Sequence, residues 1–260
     1  MINDITSPTP AGWYTIRSKQ SGFYQGYHDA KACGDQADQN NSLSSTLNEG
    51  EMRIILRWPK TNPVTAQDLD SHLQIPYLTP RVAGTECDGD SDKTDKCHLS
   101  RYTTQDNATS VTGVSTRDYH QYTDIVSSGD YVTLDKDDSS AFAPPGDETM
   151  TITKVRSGTY SFSVHNLSDS DNATDTEVGA NYKTNLRRSR AKVKVFYCPV
   201  GTDCNCNACP AAGNLVKKKF HVPNANGTLW RVFTFDSSRS GSGFDTVKEM
   251  TYEDSPYNIY

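Results

Sequence analysis

From Met52 to Trp58 the side chains alternate without a break: Met52, Ile54, Leu56 and Trp58 on one side, Arg53, Ile55 and Arg57 on the other. This period-2 pattern marks a half-buried β-strand, and no other stretch constrains the fold as tightly. Pro59 ends the strand because proline has no N–H for a ladder, and Pro63 keeps the following residues out of regular structure. The stretch then reaches Asp68-Leu69-Asp70-Ser71-His72. This segment reads as an acidic turn, since Asp and Ser side chains bond their own backbone in turns.

Further strands follow the same logic. Tyr131–Asp135, Glu148–Val155, Thr159–His165, Ala191–Tyr197, Lys219–Val222 and Leu229–Phe235 alternate or are rich in β-branched and aromatic residues, and turn formers separate them. Arg156-Ser157-Gly158 is expected to close a hairpin between the second and third of these. No stretch has a convincing helical period. Seven or more short strands of this kind predict an all-β chain, an antiparallel β-sandwich with long loop insertions and disulfides.

Three parts are expected. Residues 1–49 hold two short aromatic strands, Trp13–Arg17 and Phe23–His28, joined around Ser21-Gly22 and followed by a polar linker. Two strands are too few to be stable alone, so they belong to an upstream Ig-like domain, supply an edge strand to the main domain or are exchanged with a neighbouring molecule. Residues 50–240 form the sandwich. Residues 241–260 are a tail that starts flexible, with Gly and Ser, and ends rich in Tyr. Within the sandwich, residues 78–118 are an insertion without sustained periodicity, of the sort that serves as a surface excursion.

Composition narrows the function classes. Only 34% of residues are hydrophobic, yet 14 Tyr, 8 Phe and 3 Trp run the whole length, which fits a thin-cored folded protein rather than disorder. The net charge of −6 and the lack of a basic stripe with interleaved aromatics argue against nucleic acid. No apolar run is long enough for a membrane span, and the first residues lack the layout of a signal peptide. Sequons at Asn40, Asn107, Asn166, Asn172 and Asn226 lie in polar contexts where exposed, glycosylated asparagines are expected. Together they point outside the cell, to a secreted or cell-surface protein.

The cysteines agree. Cys33, Cys87, Cys97, Cys198, Cys204, Cys206 and Cys209 fall in expected loops or strand ends, where disulfides are the simplest reading. Cys87 and Cys97 are close enough in sequence to bridge a small acidic loop. The cluster Cys198 to Cys209 lacks the paired C-x2-C knuckles of a zinc site, so disulfides are expected there too. Seven is odd, which leaves one thiol free or paired between chains.

The residues also carry a resemblance. RIILRW leading to DLDSHL, His120 with Tyr122, LDKDD, the strand Glu148–Ile152, GTYSFSVHN at 158–166, VKVFY and the final VP…GTLWRVF occur in an order that resembles a β module of large secreted and cell-surface proteins. That module often follows a carboxypeptidase-regulatory-like, Ig-like domain, and GWYTIRSKQSGFYQGY is similar to the last strands of such a domain. The likeness spans roughly residues 10 to 236. The loop between Trp58 and Asp68 is longer than the family's Trp-Gly-x-x-Pro link, and the 78–118 insertion and the Cys198–Cys209 cluster are particular to this chain. The resemblance implies an extracellular β module and no chemistry.

Candidate site residues are polar groups at strand ends. Asp68, Asp70, His72, His120, Asp137, Asp138 and His165, with Glu148, would converge if the loops at one end of the sandwich meet. An oxygen-rich set of this kind suits calcium, and two or three histidines shift the preference toward zinc or another transition metal. The competing reading makes the aspartates turn caps and the histidines hydrogen-bonded core residues. Lys217-Lys218-Lys219 and Arg187, Arg188 and Arg190 fit either acidic glycans, a processing protease or solvated faces. No nucleophile sits in a recognisable elbow, so an enzyme is not expected. The expectation is an extracellular structural glycoprotein, a subunit of a self-assembling surface appendage, fibre or layer. The alternative is a carbohydrate- or ice-binding adhesion module that recognises its ligand through residues 80–117. A metal-dependent hydrolase using His72, His120 and His165 is the remaining reading.

Overall fold

The computed structural model describes residues 12–18, 26–32, 47–59, 68–76, 96–100, 119–121, 131–136, 146–166, 182–201, 204, 215–253, 255 and 259. In chain order they form β1 (Gly12–Ser18), β2 (Gly26–Ala32), β3 (Met52–Trp58), β4 (Asp70–Pro76), β5 (Lys96–Leu99), β6 (Tyr119–Gln121) and β7 (Tyr131–Lys136). Then come β8 (Gly146–Ile152), β9 (Thr159–His165), α1 (Tyr182–Arg188), β10 (Lys192–Tyr197), β11 (Val216–His221), β12 (Leu229–Asp236) and β13 (Phe244–Thr251). Six strands make one sheet in the order β11-β10-β3-β8-β7-β6, and five make a second in the order β13-β12-β9-β4-β5. Strands β1 and β2 form a separate two-stranded sheet. All pairings are antiparallel. The expected all-β antiparallel sandwich is what the chain forms.

The alternation that defines β3 also defines the core. Met52, Ile54, Leu56 and Trp58 are buried and Arg53, Ile55 and Arg57 half-buried on the other face. On the inner faces of the neighbouring strands, Val193 and Val195 sit beside Leu56 and Ile54, and Met150 and Ile152 beside Ile54 and Met52. From the second sheet Leu73, Ile75, Tyr160, Phe162, Val164, Trp230, Val232, Phe233 and Phe235 join the same cluster. At the far end of β3 the Trp58 indole lies over its cross-strand partner Gly146, where a Cβ would come within 2.0 Å of the ring. A smaller cluster of Leu47, Cys198 and Leu215 is stapled by the disulfide Cys198–Cys204. The side chains of the other five cysteines lie outside the described residues.

Four expectations are corrected. Asp70-Ser71-His72 is not a turn but the start of β4, buried at every position, and burial on both faces erases the alternation that announces a strand. Next, β8 and β9 are not a hairpin. The former pairs with β3 and β7 and the latter with β4 and β12, so residues 153–158 carry the chain from one sheet to the other. Gly158, at φ +121, makes that crossing where a side chain would strike Pro76. Third, α1 is a helix the sequence did not announce. Of its YKTNLRR residues, Leu186 is buried in the core, and one such anchor sets no period. Last, the tail carries β13, an edge strand paired with β12 across the glycine-bearing loop 237–243, and Ile259 is buried.

Candidate functional site

On the second sheet the face turned away from the core is polar yet buried. Cross-strand register builds it: Asp70 pairs with His165, His72 with Ser163, and Gln74 with Ser161 on one side and His98 on the other. Because Leu73, Ile75, Phe162 and Val164 go to the core, the residues between them point the opposite way. Asp70, His72, Gln74, His98, Ser163 and His165 are nonetheless all nearly inaccessible to solvent.

The three imidazoles are in contact. His72 Nδ1 lies 2.9 Å from His98 Nε2, a hydrogen bond in which one ring donates and the other accepts. The two rings stack with centroids 5.0 Å apart, and His165 meets His72 edge-on at 5.6 Å. His165 Nε2–H donates to the Glu253 carbonyl at 2.9 Å, which assigns its proton to Nε2. That carbonyl also accepts from Thr228 Oγ1, and Thr228 Oγ1 accepts from the Glu253 N–H, both at 2.8 Å. The segment after β13 is thereby clamped over His165. His72 Nε2 is buried without a hydrogen-bond partner among the described residues.

Burial decides the charge state here. Desolvation, reinforced by the neighbouring His98 and His165 rings, pushes His72 well below the ordinary imidazole value. Desolvation alone lowers His98 to about 4. His72 and His98 are therefore neutral at neutral pH, suited to hydrogen bonding and packing.

Among the candidate ligands, Asp70, His72 and His165 do come together, and Asp68 lies two residues before β4. Glu148 is buried on the core side of the sandwich, where its carboxylate accepts the Ser71 N–H at 2.7 Å. That bond satisfies the β4 edge just beyond the point, Leu73, where pairing with β5 ends. His120 lies in β6, paired with Val132 in the six-stranded sheet, so the topology puts it in the other layer. The His120 side chain, Asp137 and Asp138 lie outside the described residues. Among the described residues, no three His, Cys, Asp or Glu side chains converge in a way that holds a metal ion. His98 was not among the sequence candidates. It sits in a four-residue strand inside the aperiodic insertion, and only its register opposite Gln74 brings it to the cluster.

The sequons divide. Asn226 is exposed, whereas Asn166 is fully buried at the end of β9, its N–H bonded to the Thr228 carbonyl. Asn166 thus departs from the exposure expected of it; Asn40, Asn107 and Asn172 lie outside the described residues. Comparison with protein-family models, curated proteins and solved structures yields no match. Among the described residues no helix is long and apolar enough to cross a membrane.

Proposed function

We propose that this chain is a non-catalytic, extracellular structural glycoprotein that assembles with copies of itself into a fibre, layer or appendage, with the hairpin β1–β2 as the assembling element. The observation that carries this reading is topological. Among the described residues β1 and β2 pair with each other alone, and belong to neither sheet of the sandwich. An isolated two-stranded hairpin is marginal in water, so this one needs a sheet or apolar surface to complete it. A neighbouring subunit supplies one. The buried His72 and His98 fit a structural role as well, being neutral, hydrogen-bonded to each other and shut off from solvent.

The test uses the full chain. Sedimentation velocity and electron microscopy across a concentration series are expected to show ordered, concentration-dependent assemblies. Thr15→Pro, in the middle of the β1–β2 ladder opposite Asp29, is expected to reduce assembly at least tenfold at a given concentration, with the sandwich's thermal transition unchanged. Monomers at every concentration, from material with both termini intact, would overturn the reading.

A further inference from the structure

We infer that Asn226-Gly227-Thr228 is an N-glycan attachment site which the fold closes behind the modification. Docking of residues 251–253 on Thr228 takes its hydroxyl out of reach, so the glycan is added before β13 is in place. The inference rests on the reading of this chain as an extracellular glycoprotein, and adds to it a site and an order of events.

The three residues have different tasks. Gly227 lies against the end of β13, where a Cβ would come within 2.5 Å of the Thr251 carbonyl oxygen. Thr228 is fully buried. Its N–H donates to the Thr251 carbonyl at 2.9 Å, and its own carbonyl accepts the Asn166 N–H at 2.8 Å. Its hydroxyl donates to the Glu253 carbonyl and accepts the Glu253 N–H, each at 2.8 Å. The fold thus accounts for a glycine at 227 and a hydroxyl at 228. It does not account for Asn226, which is exposed and makes no hydrogen bond among the described residues. An asparagine in a turn ordinarily bonds nearby backbone, whereas this one leaves its carboxamide to solvent.

Chemistry sets the order. N-glycosylation joins the Asn226 amide nitrogen to the anomeric carbon of an oligosaccharide carried on a polyprenyl pyrophosphate. The new C–N bond replaces the C–O bond to the pyrophosphate, which leaves with that electron pair while the amide gives up one proton. The transferase requires the side-chain hydroxyl two residues on, which is why a sequon ends in Ser or Thr. In the folded chain that hydroxyl spends its one donor and an acceptor lone pair on Glu253 and is shut away from solvent. Glu253 follows Thr228 by 25 residues, so a growing chain presents the sequon before the segment that covers it has been made.

The experiment compares three acceptors made without glycan: the folded full chain, the full chain reduced, carboxymethylated and unfolded, and the full chain carrying Glu253→Pro, which removes the N–H that donates to Thr228. Each is incubated with a purified oligosaccharyltransferase and a polyprenyl-pyrophosphate oligosaccharide, and transfer to Asn226 is read by glycopeptide mass. Transfer to the unfolded chain is expected to be at least tenfold faster than to the folded one. Glu253→Pro is expected to recover most of that difference with a cooperative thermal transition still present. Equal rates for the folded and unfolded chains would overturn the ordering, and so would a folded Glu253→Pro chain no faster than the unaltered one. No transfer to Asn226 in the unfolded chain, while another of its sequons is modified, would overturn the site. Bare asparagines at every sequon in material from a glycosylating host would overturn the glycoprotein reading instead. A readout independent of the variant comes from the unaltered folded chain, in which exchange of the Glu253 amide and transfer to Asn226 are expected to rise together with temperature below the unfolding transition. Transfer while that amide stays protected would overturn the closure.

Discussion

His72 and His98, buried in contact with each other, have to stay neutral, and this fixes how the protein responds to acid. In the unfolded chain each takes up a proton near 6.5, whereas folded His98 resists protonation down to about 4 and His72 resists it as well. The unfolded state therefore binds more protons below 6.5, and stability present above that pH is lost as pH falls. Between pH 7 and 5, His98 alone is expected to remove about 2 kcal/mol, read from urea unfolding midpoints. His98→Gln, which keeps a hydrogen-bonding group beside His72, should flatten that profile; an unchanged slope would show that His98 is not buried neutral. At Gly146 the argument is steric. Gly146→Ala puts a methyl into the Trp58 indole and is expected to cost about 2–3 kcal/mol, measured by thermal unfolding. Glycopeptide mapping of material from a glycosylating host should find Asn226 occupied and Asn166 bare, because only the first is exposed. The sequence made His72 and His165 visible as polar residues at strand ends. It could not show His98, which reaches them by register from an insertion with no period of its own.

Among the elements, β3, with one face half-buried, was legible, and the start of β4, buried on both faces, was not. Residues 52–58 alternate and were read to the residue; residues 70–76 are buried throughout and looked like a turn because their polar side chains serve an interior. The β8–β9 connection shows a second limit. A short glycine-bearing link between two strands has the composition of a hairpin whether the strands pair or part, and only Gly158's approach to Pro76 and the partners of each strand distinguish the cases. The placement of β13 depends on contacts outside its own sequence. The reciprocal bonds of Thr228 with Glu253, together with the Thr228 N–H to the Thr251 carbonyl, hold its end. Thr228→Val in unglycosylated material removes both hydroxyl bonds to half-buried Glu253 backbone groups, while the bond from His165 to the Glu253 carbonyl stays. A loss of about 1–3 kcal/mol is expected. Hydrogen exchange should show amides 244–253 opening first; uniform exchange across the molecule would contradict the clamp.

At the scale of the whole molecule, two sheets close over one core, while among the described residues β1 and β2 pair in neither sheet and a cationic face lies on β10 and β11. Salt separates the two. Contacts between exposed charges are screened within about 3 Å at 1 M salt, while burial of a hairpin against a neighbour is not weakened by it. Assembly is therefore expected to persist at about 1 M sodium chloride; dissolution of the assemblies by salt would mean that charge, rather than β1–β2, holds them. By itself the sequence determined the all-β antiparallel class and most strand positions, because alternation and turn residues are local properties. Tertiary structure alone decided which strands share a sheet, that Asp70-Ser71-His72 is interior, and that residues 244–251 are an edge strand. It also decided that Lys192 and Lys194 stand beside Lys217, Lys219 and His221. Those facts depend on cross-strand register between segments far apart in the chain, and register is set by how two buried faces fit rather than by the residues of either one.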